Sequence, residues 1–300
     1  MRVSLIQQKY KGSKEATVKH TLDMIEKAKG ELVILGELHQ SEYFCKSEDT
    51  KFFDLAESFN EDVEFWKKVS RDKNIVLVTS LFEKVMDGIY YNTAVVFDKG
   101  KVAGKYRKTH IPDDPGFYEK FYFTPGDEIE PIDTSIGRLG VLVCWDQWYP
   151  ETARIMALKG AEVLIYPTAI GWLMCPKDRK DELCEKENTP EEREKMLNAW
   201  ISVQRGHAVA NGVYVIAVNR VGKEKDESGV LGGIEFWGRS FVFGPQGEKI
   251  AMTGDKEEIV ESEIDLKSAA DVRKIWPFFR DRRIELYGDL RKRHCINRYY

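Results

Sequence analysis

Short, continuously apolar runs rich in valine, isoleucine and leucine alternate along this chain with segments of helical period. That alternation restricts the fold to sheets with helices packed against them. RVSLIQ (2–7) reads as a strand, and residues 14–29 place Val18, Leu22 and Ile25 on one helical face, with Gly30 as the expected C-terminal cap. ELVILG (31–36) is the next buried strand, followed by a second amphipathic helix over 60–73 that starts at Asn60, a capping-type residue. IVLVTSLF (75–82) and residues 90–108 follow, the latter a hairpin turning at Asp98, Lys99 and Gly100. The pattern then repeats: a strand at 138–144, a helix at 150–159, a strand at 162–167, a helix at 196–211 and a strand at 213–219. FWGRSFVFG (236–244) and EEIVESEI (257–264) complete the strands. Strands buried on both faces are apolar throughout, and VLVC, VLIY and VYVIAV have that composition. The fold class is α/β with mixed sheets.

Composition narrows the function. The 300 residues are 42% hydrophobic and 32% charged, a globular balance. With 46 Lys and Arg against 50 Asp and Glu, the net charge of −4 gives no global positive field for nucleic acid. No run approaches the roughly 20 apolar residues that span a bilayer. The N-terminal stretch lacks the pattern of a secretory signal. Cys45, Cys144, Cys175, Cys184 and Cys295 are odd in number and scattered, without a C-x-x-C pair, which predicts neither a disulfide framework nor a zinc cluster. A reduced, cytoplasmic protein with one special thiol is the expectation. The charged stretch 175–195 reads as a solvated insertion. The tail 276–294, which mixes aromatics with basic residues, reads as packing on its own chain or on a partner subunit.

Three strand ends carry groups able to do chemistry. Cys144 closes an apolar strand and precedes Pro150, a good first helical residue, so it lies in a strand–turn–helix. There the helix N-terminus favours a thiolate. Glu37 follows ELVILG at once, and Lys108 ends the strand KVAGKYRK. In open α/β sheets functional groups gather beyond the carboxyl ends of strands, so these three can converge as nucleophile, base and cation. Singly, each has a plainer role as core thiol, cap or surface ammonium. His39, His110 and His207 are the alternative bases, with a structural role the more usual one for a lone histidine.

The sequence resembles the nitrilase superfamily of carbon–nitrogen hydrolases from its first strand to about Gly288. ILGEL carries Glu37, YRKTHIP carries Lys108, VLVCWDQWYPE carries Cys144, and GFYEKFYFTPGD supplies Glu119 as the second glutamate of the pattern. Gly36 stands where many members have proline. The resemblance implies a four-layer α-β-β-α sandwich over residues 1–288 with a tail at 289–300, and subunits associating as a homo-oligomer, a dimer or higher. It also implies catalytic roles for Glu37, Lys108, Cys144 and Glu119 without a metal or organic cofactor. EYFC after the first glutamate, CWDQWYPETARIMALKGAEVLIYPTAIG and QRGHAVANGVYVIAVNRVGKE look like amidases that act on N-carbamoylputrescine, giving putrescine, carbon dioxide and ammonia. Other amides, nitriles and ureido acids are the alternative substrates, and a non-catalytic binding protein of the same fold is a further alternative. For a substrate bearing a carbamoyl group and a cationic amine, the candidate contacts are Tyr43, Asp114, Trp145, Asp146 and Trp148, with Glu42 and Asp113 as further acids nearby.

Overall fold

The computed structural model describes residues 1–176 and 181–296. Its first half runs β1 (Arg2–Gln7), α1 (Lys14–Lys27), β2 (Leu32–Ile34), α2 (Phe59–Lys73), β3 (Val76–Met86), β4 (Ile89–Asp98) and β5 (Lys101–Arg107). β1, β2 and β3 pair in parallel, as strands joined by helical crossovers do, and β3, β4 and β5 continue as an antiparallel meander. Between β4 and β5, Lys99 and Gly100 both take positive φ (49° and 92°), the two-residue turn whose twist suits a hairpin.

The second half begins with a short turn of helix, α3 (Glu119–Tyr122), then β6 (Ile132–Thr134), β7 (Gly137–Val141), α4 (Pro150–Leu158), β8 (Val163–Pro167) and β9 (Gly171–Met174). It continues through α5 (Glu182–Glu187), α6 (Pro190–Asn211), β10 (Tyr214–Val218), β11 (Val221–Glu224), β12 (Gly233–Trp237), β13 (Phe241–Phe243), β14 (Lys249–Met252), β15 (Glu258–Glu263) and α7 (Leu266–Ile275). The second six-stranded sheet has the order β14-β13-β10-β8-β7-β6, while β15 returns to β1 to complete the first as β15-β1-β2-β3-β4-β5. A small sheet, β11-β12-β9, stands apart.

Strand alternation explains the layering. Val3, Leu5, Val76 and Val78 point from the first sheet into a core shared with Val141, Ile165 and Val215 of the second. Ile6 and Leu77, one residue out of phase, face the other way and pack on Met24 and Ile25 of α1 and Trp66 of α2. Met156 of α4 with Trp200 and Ala208 of α6 cover the second sheet. The result is the expected α-β-β-α sandwich.

Several boundaries differ from expectation. α1 ends at Lys27, and Gly30 is not its cap: a Cβ there would lie 2.5 Å from Ser4 Oγ, so close approach to β1 is what requires glycine. α2 runs on directly from a 3-10 segment at Thr50–Ser58, which leaves Asn60 inside the helix. FWGRSFVFG is two strands in two sheets, because Gly238 and Arg239 (φ 64° and 60°) break the run. α6 starts earlier, at Pro190, with Thr189 Oγ1 accepting from the Glu192 amide. Cys175 and Cys184 form a disulfide, against the expectation of unpaired thiols. The polypeptide folds back between β9 and the first turn of α5, bringing their Cα atoms to 5.6 Å, within bonding range. Residues 177–180 of the charged stretch and 297–300 of the tail lie outside the described residues. In the tail, Ile284, Leu286 and Leu290 are exposed along a 3-10 segment, Ile284–Arg291.

Candidate active site

Glu37, Lys108 and Glu119 meet in a buried cluster although 82 residues separate the first from the last by number (119 − 37). Lys108 Nζ donates to Glu37 Oε1 at 2.9 Å and to Glu119 Oε2 at 2.6 Å. Each arrives by its own element. Glu37 leaves the end of β2, its amide donating to Thr168 O and its carbonyl accepting from Arg220 Nε. Lys108 follows β5, its amide held at 2.9 Å by Asn92 O of the neighbouring β4. Glu119 opens α3, and its Oε1 accepts from Tyr43 Oη at 2.7 Å. Asn92 Nδ2 adds a second donor to Glu37 Oε1, at 2.7 Å, while Glu37 Oε2 has no hydrogen-bond partner. The lysine uses two of its three N–H donors on carboxylates and keeps one for another acceptor.

Cys144 sits in a 3-10 turn after β7, one turn ahead of α4, with φ at +41°. A left-handed backbone at a non-glycine residue is a strained conformation that only a well-determined surrounding holds. The surrounding is supplied by Asp146 and Gln147. Asp146 Oδ2 accepts from Val143 N and Tyr106 Oη, and Oδ1 accepts from Thr109 Oγ1 and the His110 amide, at 2.8–3.0 Å. Gln147 Oε1 accepts from Trp200 Nε1 and Gln204 Nε2 of α6.

The electrostatics follow from this crowding. Burial opposes the Lys108 charge, but Glu119 and Glu37 outweigh it and hold the ammonium well above its ordinary range. Burial lifts the Glu119 carboxyl to about 7 against the pull of Lys108, and Glu37 adds to the rise. The Cys144 thiol is also pushed well up, first by burial and then by the Glu37 charge, with Lys108 working the other way. The resting group is therefore a thiol. This departs from the thiolate expected of a helix N-terminus, because burial beside a carboxylate exceeds the pull of the lysine and of the turn.

Cys144 and Glu119 line a cavity of about 800 Å³. Of the residues singled out in the sequence, Asp114, Trp145 and Trp148 also line it. Tyr43 does not: it is fully buried behind Glu119, which it holds. Asp146 is a correction. Both its oxygens are consumed by the chain around Lys108 and Cys144, so it fixes their turns and offers nothing to a substrate. Glu42 pairs with Lys46 and Asp113 with Lys120. No described hydrogen bond joins a histidine to Cys144. His39 is buried and pushed down to about 3 by desolvation and the Arg220 and Lys14 charges; His207 binds Gln147 O, and His110 binds Asp146 while stacking on Tyr149. Among the described residues no cluster of three or more His, Cys, Asp or Glu is arranged to hold a metal.

Sequence reasoning missed Asn92, Arg220 and the outer wall. The available signal for Asn92 is an amide in a strand that is otherwise mostly aromatic and β-branched, YYNTAVVF. Arg220 ties Glu37 O and Ser41 O to Glu224 Oε1, bracing the loop after the base. Asp181, Cys184, Asn188 and Glu192, all in the stretch read as a solvated face, line the cavity instead.

Comparison with known proteins gives a consistent result. The carbon–nitrogen hydrolase family model matches residues 2–274. An N-carbamoylputrescine amidase of Solanum tuberosum is 39% identical over 262 residues, 85% of this chain and 82% of that protein. A citrullinase of Francisella tularensis is 38% identical over 269 residues, 88% of this chain and 87% of that protein. A crystal structure of a carbon–nitrogen hydrolase from Helicobacter pylori superposes with a TM-score of 0.93 at 54% identity, covering 98% of this chain and 99% of the other.

Proposed function

Because the chain belongs to the carbon–nitrogen hydrolase family, we propose that it hydrolyses the ureido group of N-carbamoylputrescine through Cys144, Glu37, Lys108 and Glu119. The observation that carries this reading is the buried cluster of one ammonium between two carboxylates, beside a thiol that opens onto a cavity of substrate size.

A ureido carbonyl is a poor electrophile, and a protonated thiol is a poor nucleophile. Both deficits are met by the arrangement. Glu37 takes the Cys144 proton as sulfur bonds to the carbamoyl carbon, which suits a site where the thiol rests protonated. The oxygen that gains charge is met by the remaining Lys108 N–H and by a backbone amide of the Cys144 turn. Glu37 passes its proton to the departing nitrogen, releasing ammonia and leaving an S-carbamoyl enzyme. Water, deprotonated by Glu37, attacks that carbon; the C–S bond breaks, sulfur recovers the proton, and the carbamate product divides into putrescine and carbon dioxide. Glu119 holds the lysine, and Tyr43 holds Glu119.

The rest of the wall suits an alkyl chain ending in an ammonium. Trp145 and Trp148 supply apolar faces, and Asp114, Asp181 and Glu192 supply negative charge. Citrulline is the second reading, favoured by the 38% identity to a citrullinase; it shares the ureido group but adds a carboxylate. Turnover measured in parallel on N-carbamoylputrescine, citrulline, N-carbamoyl-β-alanine, an ω-amide and a nitrile decides, with Cys144→Ala as the control. Putrescine release with the highest kcat/KM of the panel is expected, and a higher value for any other compound overturns the substrate assignment.

We further propose a homo-oligomer, supported by the exposed apolar side chains of Ile275, Trp276, Ile284, Leu286 and Leu290 near the C-terminus. The compartment we propose is the cytoplasm. No helix among the described residues is long and apolar enough to cross a membrane.

A further inference from the structure

Asn92 is a fully buried amide within β4, between Tyr91 and Thr93. Its side-chain amide and its backbone carbonyl are tied to the site. Nδ2 donates to Glu37 Oε1 at 2.7 Å, and the backbone carbonyl accepts from the Lys108 amide at 2.9 Å. Its Oδ1 accepts from Ser80 Oγ at 2.8 Å, and that same hydroxyl accepts from the Leu38 amide at 3.1 Å. A single residue therefore grips the base by its side chain and the cation by its main chain. Through Ser80 it is itself tied back to the residue that follows the base.

This arrangement makes the two oxygens of Glu37 unequal. Oε1 already accepts from Lys108 and Asn92, whereas Oε2 is buried without a partner. An oxygen receiving two donors, one of them charged, has little electron density left for a proton. The Glu37 carboxylate and the Ser80 hydroxyl together fix the amide the right way round: reversed, its oxygen would face a carboxylate oxygen with no proton between them, and the Ser80 hydroxyl would lose the acceptor for its own proton.

We propose that Asn92 is a positioning residue that reserves Oε2 of Glu37 as the proton-carrying oxygen, so that the base takes and returns its proton through one fixed atom. This rests on the reading of Glu37 as the base. Positioning residues of this kind act on the rate of proton transfer and leave substrate binding almost untouched.

The test uses the whole enzyme and four variants, each assayed for kcat, KM and the pH dependence of kcat/KM. Asn92→Asp keeps the shape and the Ser80 contact but sets a carboxylate against Oε1, so the pair must share a proton. Its acid limb is expected to move up by about one pH unit or more. Asn92→Ala is expected to lower kcat by about 10- to 100-fold with KM changed less than about threefold, the scale set by loss of reactant alignment. Ser80→Ala, which loosens the amide and frees the Leu38 N–H while leaving Asn92 in place, is expected to lower kcat by roughly 3- to 10-fold in the same pattern; it decides the matter should the Asn92 variants not fold by circular dichroism. Glu37→Gln separates the two layers of the argument. If Glu37→Gln is inactive while the Asn92 and Ser80 variants keep the wild-type limb, or lose only KM, Asn92 is packing and the inference falls alone. If Glu37→Gln still turns over, the base assignment falls and takes this inference with it.

Discussion

Cys144 and Glu119 line the same cavity as Asp181, Asn188 and Glu192, yet the two sides are built differently. On the side of the thiol, charges are withdrawn from water and paired: Glu37, Lys108 and Glu119 have no exposed surface and share two short hydrogen bonds. Glu37 and Lys108 stand just beyond the ends of β2 and β5, two strands of the first sheet, and Glu119 opens α3. The other side is a strap of β9, α5 and the start of α6, with charges facing solvent and the Cys175–Cys184 disulfide holding its turn. Asn188 Nδ2 donates to Cys184 O at 2.8 Å, and Arg193 donates to Asn188 Oδ1. One side has the rigidity that bond-making requires; the other is where a change of side chain costs the fold little and the substrate much.

The largest effect should come from unbalancing the buried side. Lys108→Met leaves two carboxylates facing each other without a cation. On the proposed chemistry kcat falls by about 100- to 1,000-fold through loss of an oxyanion donor. Stability falls by roughly 3–5 kcal/mol as buried charges lose their partner. A thermal melt and a steady-state assay read the two together. A kcat within tenfold of wild type would mean that the ammonium serves the fold and not the reaction.

Glu119 gives the next effect, and it has a sign in pH. Its carboxyl is raised from 4.5 to about 7, so the folded chain binds this proton more tightly than the unfolded chain does. That contribution to stability is whole below the unfolded value near 4.5 and is lost as the pH climbs through about 7. Glu119→Gln imitates the protonated acid and removes the slope in that window. Melting temperatures of the variant should change less between pH 5 and 8 than those of the wild type, and kcat should fall by about tenfold or more as Lys108 loses its anchor. Parallel pH profiles for the two proteins would assign the titration elsewhere.

The same contrast explains what could be read from the chain alone. Glu37 and Cys144 were legible because each follows an apolar run, where a charged or reactive group has few purely structural uses, and Lys108 because it ends a strand and could converge with them beyond the carboxyl ends of the sheet. Glu119 was visible only through resemblance, since its short helix has no periodicity to detect. Asp146 was misjudged because its partners, Tyr106 in β5 and Thr109 and His110 just after it, are remote in sequence, so an acid next to a nucleophile looked like a ligand when it was a tie. The strap was misjudged for the opposite reason. Its lysines and glutamates are those of a solvated face, and nothing local records that the segment folds over a cavity or that two cysteines nine residues apart are brought together.

The smallest effect belongs to the exposed side, and it is the one that tests whether charge there selects the substrate. Asp181 Oδ1 caps α5 and Glu192 pairs with Lys195, so replacing either disturbs more than the cavity. Asp114 is exposed, and among the described residues its carboxylate meets no cation, which makes Asp114→Asn the cleaner probe. An exposed pair is worth up to about 1 kcal/mol, so KM for N-carbamoylputrescine should rise by about two- to fivefold, with kcat unchanged within about twofold. The anionic N-carbamoyl-β-alanine should shift the other way, and about 0.5 M salt should erase both differences, since screening then acts within a few ångströms. If KM for the cationic substrate does not move at low salt, Asp114 takes no part in reading the ammonium. The selecting charge then belongs to the strap, where Asp181 and Glu192 already serve the fold.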